Sequence, residues 1–264
     1  MSTSDQNAHS RPDIFITGVM KGGTTILHDY ICSHSQVVSG SQKEIHYFSL
    51  NYHEGTEWYD THFREIPADK RTIDASPTYF DVANTALLPK LIRAYTEDPR
   101  VILITRDPIE RAISHFTHLQ KVNKVACLEG MSADEFFAQP FPQAYGQTDD
   151  CLMYLHLVLT FSFYYRRFVT YRHLFEKTQF LALDNANLRN DPKGVMSKVF
   201  DFLDLEYEDD KSFGEVRRSN GSSLGNISTQ TYHRLAELFY PDYEKFCHQA
   251  GFTFVEAIAG SRAA

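Results

Sequence analysis

The chain has 264 residues, 42% of them hydrophobic and 23% charged, and its formal net charge is −8 at pH 7. This length favours one large α/β domain. The acidic balance argues against a general nucleic-acid binder, which needs basic residues to pair with phosphates. We expect residues 1–11 to be a disordered leader, residues 12–254 a single domain and residues 255–264 a C-terminal tail.

The first half of the chain alternates strand and helix patterns. Residues 13–19 are a β-branched run that ends near a glycine, and residues 24–34 have a helical pattern, which together predict a strand, a tight turn and a helix. Residues 71–77 predict a second strand. The continuous apolar run at 100–108 is typical of a buried parallel strand, and a helix follows it at 109–121.

The second half continues the alternation. We predict a short helix at 132–139, one long aromatic-rich helix at 151–177, a strand at 179–184, a helix at 191–205 and a final helix at 228–251 that is broken near Pro241. Strands that alternate with helices predict a mostly parallel central sheet flanked by helices.

Residues 18–25, GVMKGGTT, resemble a phosphate-binding loop with a displaced lysine. A Walker A loop has its lysine directly before the hydroxyl residue that holds magnesium. Here Lys21 comes before Gly22 and Gly23, and only then come Thr24 and Thr25. Glycines allow close backbone approach, and hydroxyls at a helix N-terminus can bind an anion. The stretch therefore predicts an anion site without the Walker magnesium pattern, with an ordinary tight turn as the alternative.

A second stretch, TRDPIERAISHF at residues 105–116, carries a similar arrangement. Arg106 follows the clearest predicted strand, and Ser114 lies in the second turn of the next predicted helix. Ligands of open α/β sheets bind at the carboxyl ends of the strands. Two such units predict a site for a ligand with two separate phosphate-type groups.

Together the two stretches resemble the sulfotransferases that use 3′-phosphoadenosine 5′-phosphosulfate (PAPS), in particular the heparan sulfate and other carbohydrate sulfotransferases. Three further stretches agree, namely QKEIHYFS (42–49), DASPTYF (74–80) and FDFLDLEYED (200–209). The resemblance implies a P-loop-like three-layer α/β fold. It also implies transfer of a sulfuryl group from PAPS to a hydroxyl or an amine, with 3′-phosphoadenosine 5′-phosphate (PAP) as the product and no metal required.

The resemblance implies roles in cofactor binding for two groups of residues. The loop around the 5′-phosphosulfate would be Lys21, Gly22, Gly23, Thr24 and Thr25, with Lys21 also stabilising the leaving phosphate. The 3′-phosphate would be bound by Arg106 and Ser114, and Arg217 or Arg218 in the late loop at 215–223 would add charge.

The catalytic base implied by the resemblance is Glu44. His46 is the alternative base, because an extended backbone over 43–48 would point both side chains to one face. Lys43 is expected near the cofactor or the acceptor. Tyr79 is a candidate for an acceptor contact, with a core role as the alternative, and His115 and Trp58 are candidates for the wall of the acceptor pocket.

These patterns predict a cytoplasmic sulfotransferase that acts on a small natural product or sugar, with neither membrane nor nucleic acid as a partner. The four cysteines show no C-x-x-C pair, which favours free thiols in a reducing compartment. No signal-peptide or membrane-spanning pattern is present. The alternatives are a P-loop nucleotide kinase or NTPase, which would use magnesium, and a non-catalytic nucleotide-binding module, which would tolerate loss of Glu44.

Overall fold

The computed structural model of the protein describes residues 11–67, 69–81, 86–140, 150–210, 213 and 227–254. Its strands are β1 (Ile14–Gly18), β2 (Val37–Ser39), β3 (Arg71–Ala75), β4 (Arg100–Thr105) and β5 (Phe180–Asp184). Its helices are α1 (Thr24–Cys32), α2 (Thr56–Thr61), α3 (Thr78–Asp81), α4 (Leu88–Tyr95), α5 (Pro108–Lys121), α6 (Ala133–Ala138), α7 (Asp150–Thr160), α8 (Tyr165–Leu174), α9 (Asn185–Asn190), α10 (Pro192–Phe202) and α11 (Thr229–Ala250).

The five strands form one sheet in the order β2-β3-β1-β4-β5, and every adjacent pair is parallel. This confirms the predicted parallel sheet. β1 lies at the centre, and its pairing with β4 shifts by one residue between Ile16 and Gly18. Because the carboxyl ends of parallel strands meet at one edge, the segments after β1 and β3 emerge side by side.

The described residues divide into two compact units. The first contains the residues up to Thr105 and those from Val169 to residue 213, and the second contains residues 106–168 and those from 227 onwards. The sheet belongs to the first unit, whose core includes Ile14, Ile102 and Leu183. The prediction of a single domain over 12–254 stays a prediction, and residues 1–10 and 255–264 lie outside the described residues.

The second unit packs aromatic residues between its helices. Phe116 of α5 lies 4.7 Å from Phe136 of α6, measured between ring centroids, and Tyr164 lies 5.5 Å from Phe246 of α11. These edge and tilted contacts are the arrangements that aromatic rings prefer. They pack α5 against α6 and Tyr164 against α11.

Two helix predictions in the second half are wrong in detail. The predicted long helix at 151–177 is two helices, because Asp242 Oδ2 accepts the N–H groups of Tyr164 and Tyr165 and so caps a new start at α8. The predicted break near Pro241 does not occur, since α11 runs through it. Buried aromatic residues on both sides of Pro241 keep the helix packed and offset the hydrogen bond that proline removes.

The sequence reading also missed β2 and the short helices α2, α3, α4 and α9. The three residues of β2 are too few to show a pattern, and they pair with β3 only in the folded sheet. No helix among the described residues is long and apolar enough to cross a membrane.

Candidate active site

The turn after β1 requires glycine where the sequence places it. A Cβ atom on Gly22 would lie 2.7 Å from the carbonyl oxygen of Ile104 and 2.7 Å from Cγ2 of Val19. Gly23 has a φ of 106°, and a Cβ there would lie 2.3 Å from Nδ2 of Asn185. The loop therefore passes too close to its neighbours for any side chain at these two positions.

Hydrogen bonds fix the path of this loop. The N–H of Val19 donates to the carbonyl of Ile104 at 2.7 Å, and the N–H of Met20 donates to Oδ2 of the buried Asp81 at 2.5 Å. The N–H of Gly22 closes the turn onto the carbonyl of Val19 at 2.9 Å. Hydrogen bonds within the protein thus set the shape of the loop.

The N-terminus of α1 has no side-chain cap, since its N-cap residue is Gly23. The first N–H groups of a helix have no intrahelical partner, and together with the helix dipole they attract anions. Thr24 is buried at this end and Thr25 is exposed. The arrangement fits a phosphate or phosphosulfate group, as the glycine pattern predicts.

Lys43 connects this helix end to the predicted base. Its Nζ donates to Oγ1 of Thr25 at 2.6 Å and lies 3.5 Å from Oε1 of Glu44. The Glu44 side chain is 42% exposed, and its Oε2 lies 3.7 Å from Nε2 of His46. Lys43, Glu44 and His46 are therefore brought together beside the start of α1.

The backbone of this segment is not the extended strand that the sequence suggested. Glu44 has a φ of 62° and His46 a φ of 55°, which is the left-handed region. Their side chains meet because of these two turns. Lys21 also has a left-handed φ of 66°, so the three residues predicted as catalytic are three of the five non-glycine residues with positive φ in the described chain. Such conformations are uncommon and cluster at functional sites.

His46 is held on three sides. The ring Nδ1 lies 2.8 Å from Oγ1 of Thr78, and the backbone N–H of His46 donates to Oγ of Ser76 at 2.9 Å. Burial lowers the pKa of His46, while the charge of Glu44 opposes that shift. The ring is therefore neutral near pH 7, with its orientation set by the segment after β3.

Behind His46 lies a buried carboxylate that the sequence reading missed. Asp74 accepts hydrogen bonds from the hydroxyls of Tyr59 at 2.7 Å, Tyr79 at 2.6 Å and Ser76 at 2.7 Å. Burial raises the pKa of Asp74, and these three hydrogen bonds oppose the shift. Hydrogen bonds thus connect Asp74 through Ser76 to His46, and they link the buried core to the segment 43–48, which we call the catalytic segment because it holds the predicted base. The DASPTYF stretch contained this signal, but only the fold shows which residues pair.

Tyr79, a predicted acceptor contact, is fully buried with its hydroxyl on Asp74. Burial raises its pKa well above the ordinary value, with the Asp74 charge as the second cause. Its phenol therefore stays protonated. Tyr79 therefore packs in the core, and its contact with the acceptor stays a prediction.

In the second unit, the start of α5 carries the other predicted phosphate residues. The Arg106 guanidinium pairs with Oε2 of Glu110 at 2.9 Å. Asp107 is the N-cap, and its Oδ1 accepts the N–H groups of Ile109 at 3.0 Å and Glu110 at 2.9 Å. Ser114 is partly exposed in the second turn of α5, where the sequence placed it. Binding of the 3′-phosphate by Arg106 and Ser114 stays a prediction.

Further along α5, Arg111 and His115 form a buried pair. The Arg111 side chain is fully buried, donates to Oγ of Ser162 at 2.8 Å and approaches Nδ1 of His115 at 3.2 Å. His115 also stacks on Phe161. These contacts join α5 to the end of α7, and an acceptor contact by His115 stays a prediction.

Two predicted residues, Arg217 and Arg218, lie outside the described residues. Within the described ranges, no group of three or more His, Cys, Asp or Glu side chains is placed to hold a metal ion.

The parallel sheet and the glycine turn after its first strand define a P-loop-like α/β fold. The family model "Sulfotransferase domain" matches residues 11–245. The chain therefore belongs to the sulfotransferase domain family, which confirms the resemblance.

Known proteins agree with this assignment. The mouse heparan sulfate glucosamine 3-O-sulfotransferase 3A1 is 26% identical over 95% of this chain, and the chain spans 65% of that relative's length. A sulfotransferase structure from Alicyclobacillus acidocaldarius superposes with a TM-score of 0.74 at 18% identity, covering 93% of this chain and 98% of that one. The mouse sulfotransferase SULT7A1 complexed with PAP gives 0.58 at 15% identity, covering 90% of this chain and 87% of that one. The structural matches confirm the P-loop-like fold.

Proposed function

We propose that the protein is a PAPS-dependent sulfotransferase that transfers a sulfuryl group to a hydroxyl or an amine of a small natural product or sugar. Family membership over residues 11–245 supports the reaction class. The PAP complex of the mouse neighbour supports the cofactor, and the mouse 3-O-sulfotransferase relative supports an oxygen on a sugar as one kind of acceptor. A cytoplasmic location stays a prediction.

The loop after β1 would hold the phosphosulfate end of the cofactor. PAPS supplies an activated sulfuryl group whose leaving group is a nucleotide phosphate. The glycine turn and the uncapped start of α1 offer backbone N–H groups to an anion, and Lys21 would stabilise the charge that develops on the leaving oxygen. Arg106 and Ser114 would bind the 3′-phosphate.

Glu44 would act as the general base. The observation that carries this proposal is the double contact of Lys43, whose Nζ bonds Thr25 at the start of α1 and lies 3.5 Å from Glu44. It places an exposed carboxylate beside the end of the helix that would bind the donor. Glu44 would take the proton from the acceptor as the oxygen or nitrogen attacks, which is typically worth about 10²–10⁴-fold.

His46 is the alternative base, and its surroundings favour a positioning role. Nδ1 is occupied by Thr78, and Nε2 faces the Glu44 carboxylate at 3.7 Å. A neutral ring with one nitrogen engaged in this way would orient Glu44. We therefore expect His46→Ala to be milder than Glu44→Gln.

A nucleotide kinase or NTPase is not favoured. Such an enzyme needs a lysine next to the hydroxyl residue of its loop and a carboxylate at a strand end for magnesium. Lys21 precedes both glycines. Asp107 follows β4, but its Oδ1 is used to cap α5.

The test is transfer of labelled sulfate from PAPS to a panel of sugars, phenols, alcohols and amines, with PAP affinity measured in parallel. Glu44→Gln is expected to lower kcat by about 10²–10⁴-fold and to leave the Kd for PAP unchanged. Equal turnover by Glu44→Gln would contradict the base assignment. A wild-type protein that neither transfers sulfate nor binds PAP would overturn the proposed function, and PAP binding without transfer to any acceptor would favour the non-catalytic module.

A further inference from the structure

Exposed apolar side chains follow the proposed base in the sequence. Leu50 is 56% exposed and Tyr52 is 51% exposed. The Tyr52 ring lies 5.4 Å from the ring of Tyr47, and the half-buried Trp58 lies 6.4 Å from the same ring. We call Leu50, Tyr52 and Trp58 the 50–58 surface.

Backbone hydrogen bonds fix this surface to the catalytic segment. The N–H groups of Leu50 and Asn51 donate to the carbonyl oxygen of His46 at 2.9 and 3.1 Å. The Asn51 side chain also donates to the carbonyl of Ile45 at 2.8 Å. Because Glu44 contacts His46, these hydrogen bonds tie the backbone of Leu50 and Asn51 to the neighbour of the proposed base.

The charges along this segment disfavour an anionic ligand. From Glu44 to Phe63 the sequence contains four carboxylates and neither lysine nor arginine. Among the four, Asp60 forms an ion pair with Arg11 at 3.0 Å. The Glu54 side chain is 46% exposed, and its ion-pair contact in this region is with His53. A polyanion would meet like charge here, which raises the free energy of binding.

We infer that the 50–58 surface binds the acceptor, and that the acceptor is an uncharged or cationic molecule with an apolar or aromatic group. The inference rests on the proposed function, because it takes Glu44 as the base. The exposed tyrosine and leucine, with the half-buried Trp58, are side chains that can bind apolar ligand groups. The carboxylates of this segment disfavour a sulfated polysaccharide.

Trp58 allows a direct test, because it is the only tryptophan in the chain. Its fluorescence is followed while methyl, butyl and hexyl glucoside are titrated into the wild-type protein with PAP present. The expected result is binding that tightens about two- to fourfold for each added methylene, with a blue shift of the emission. A sulfated glucosamine oligosaccharide at the same concentrations is expected to leave the emission unchanged.

Two variants locate the binding. Leu50→Ser and Tyr52→Ala are each expected to weaken hexyl glucoside by about tenfold and to leave methyl glucoside unchanged. The control is Tyr207→Ala, since Tyr207 is also exposed, at 44%, and contacts Phe200 of α10 instead of the catalytic segment. It is expected to bind hexyl glucoside like the wild type.

Binding that does not depend on chain length, or equal binding by Tyr52→Ala, overturns the inference. So does tighter binding of the sulfated oligosaccharide than of hexyl glucoside. The fluorescence readout needs no turnover, so it tests binding of the acceptor separately from the proposed sulfotransferase activity. Chain-length-dependent binding without any sulfate transfer would refute the proposed function, whereas transfer that is indifferent to the apolar group would refute only the acceptor class.

Discussion

Two helices each begin directly after a parallel strand, and they begin in opposite ways. α1 follows β1 through a glycine turn, and Gly23 offers no side chain to the first N–H groups. α5 follows β4 after only Arg106 and Asp107, and the Asp107 carboxylate already accepts two of its N–H groups. The backbone is therefore available to an anion at α1, whereas at α5 the side chains must bind it.

This difference explains why one start carries two glycines and the other carries charged residues. At a helix start without a side-chain cap, an anion must come close to the backbone N–H groups. The loop before α1 is so tightly packed that Gly22 and Gly23 must be glycines. A capped start carries a negative charge of its own, so an anion binds there only through a cation such as Arg106. The two sites should consequently respond differently to substitution.

Gly22→Ala should produce the largest effect. The added Cβ would lie 2.7 Å from the carbonyl oxygen of Ile104, so the loop must move. The displaced N–H groups would lose hydrogen bonds to the charged phosphate, each worth about 1.5–3 kcal/mol, so we expect calorimetry to show PAP bound about 100-fold more weakly. Gly251→Ala is the control, because its Cβ would meet nothing within 4 Å. It should cost about 1 kcal/mol of stability through its positive φ and leave PAP affinity unchanged. Normal PAP affinity of Gly22→Ala would contradict the role of the loop.

Arg106→Ala should weaken PAP by about 10–100-fold, the usual value of a lost hydrogen bond to a charged group. AMP lacks the 3′-phosphate, so its affinity should not change. Glu110→Gln removes the carboxylate that pairs with Arg106 and should not weaken PAP. If Arg106→Ala weakens AMP and PAP equally, the residue does not bind the 3′-phosphate.

Asp107→Asn should give a smaller effect that depends on pH. Burial raises the pKa of Asp107 to about 6, and the nearby Glu110 charge adds to the shift. Between about pH 4 and 6 only the folded protein holds the proton, so this stabilisation is present at low pH and is lost as the pH rises through 6. Asparagine keeps the cap without the charge. The free energy of unfolding of the wild type, relative to Asp107→Asn, should fall by about 2 kcal/mol from pH 4 to 7. A difference that is constant with pH would show that the carboxyl does not titrate in this range.

The sequence predicts the α1 start better than the catalytic segment. Glycines, a lysine and hydroxyls after an apolar strand form a local pattern, so the loop and the strands β1, β3, β4 and β5 were predicted close to their bounds. Glu44 and His46 both have left-handed backbone conformations, and His46 contacts Ser76 and Thr78, about 30 residues away in the sequence. Contacts of this kind leave no local signal.

The predictions of one helix at 151–177 and of a break near Pro241 were wrong for a similar reason. The start of α8 depends on Asp242 in a distant helix, and the continuity of α11 at Pro241 depends on buried aromatic neighbours. Asp74 was not predicted, because a single aspartate in a strand has no distinctive sequence pattern. Its place in the site is defined by the three hydroxyl groups that donate hydrogen bonds to it in the fold.

The affinity of the wild-type protein for PAP in the presence of EDTA, compared with its affinity for ATP in the presence of magnesium, tests the account most directly. Both are measured by calorimetry and need no acceptor. We expect PAP to bind without metal and at least about tenfold more tightly than magnesium-ATP, because Arg106 would give the second phosphate a charged contact of its own. Tighter binding of magnesium-ATP, with no binding of PAP in EDTA, would contradict it.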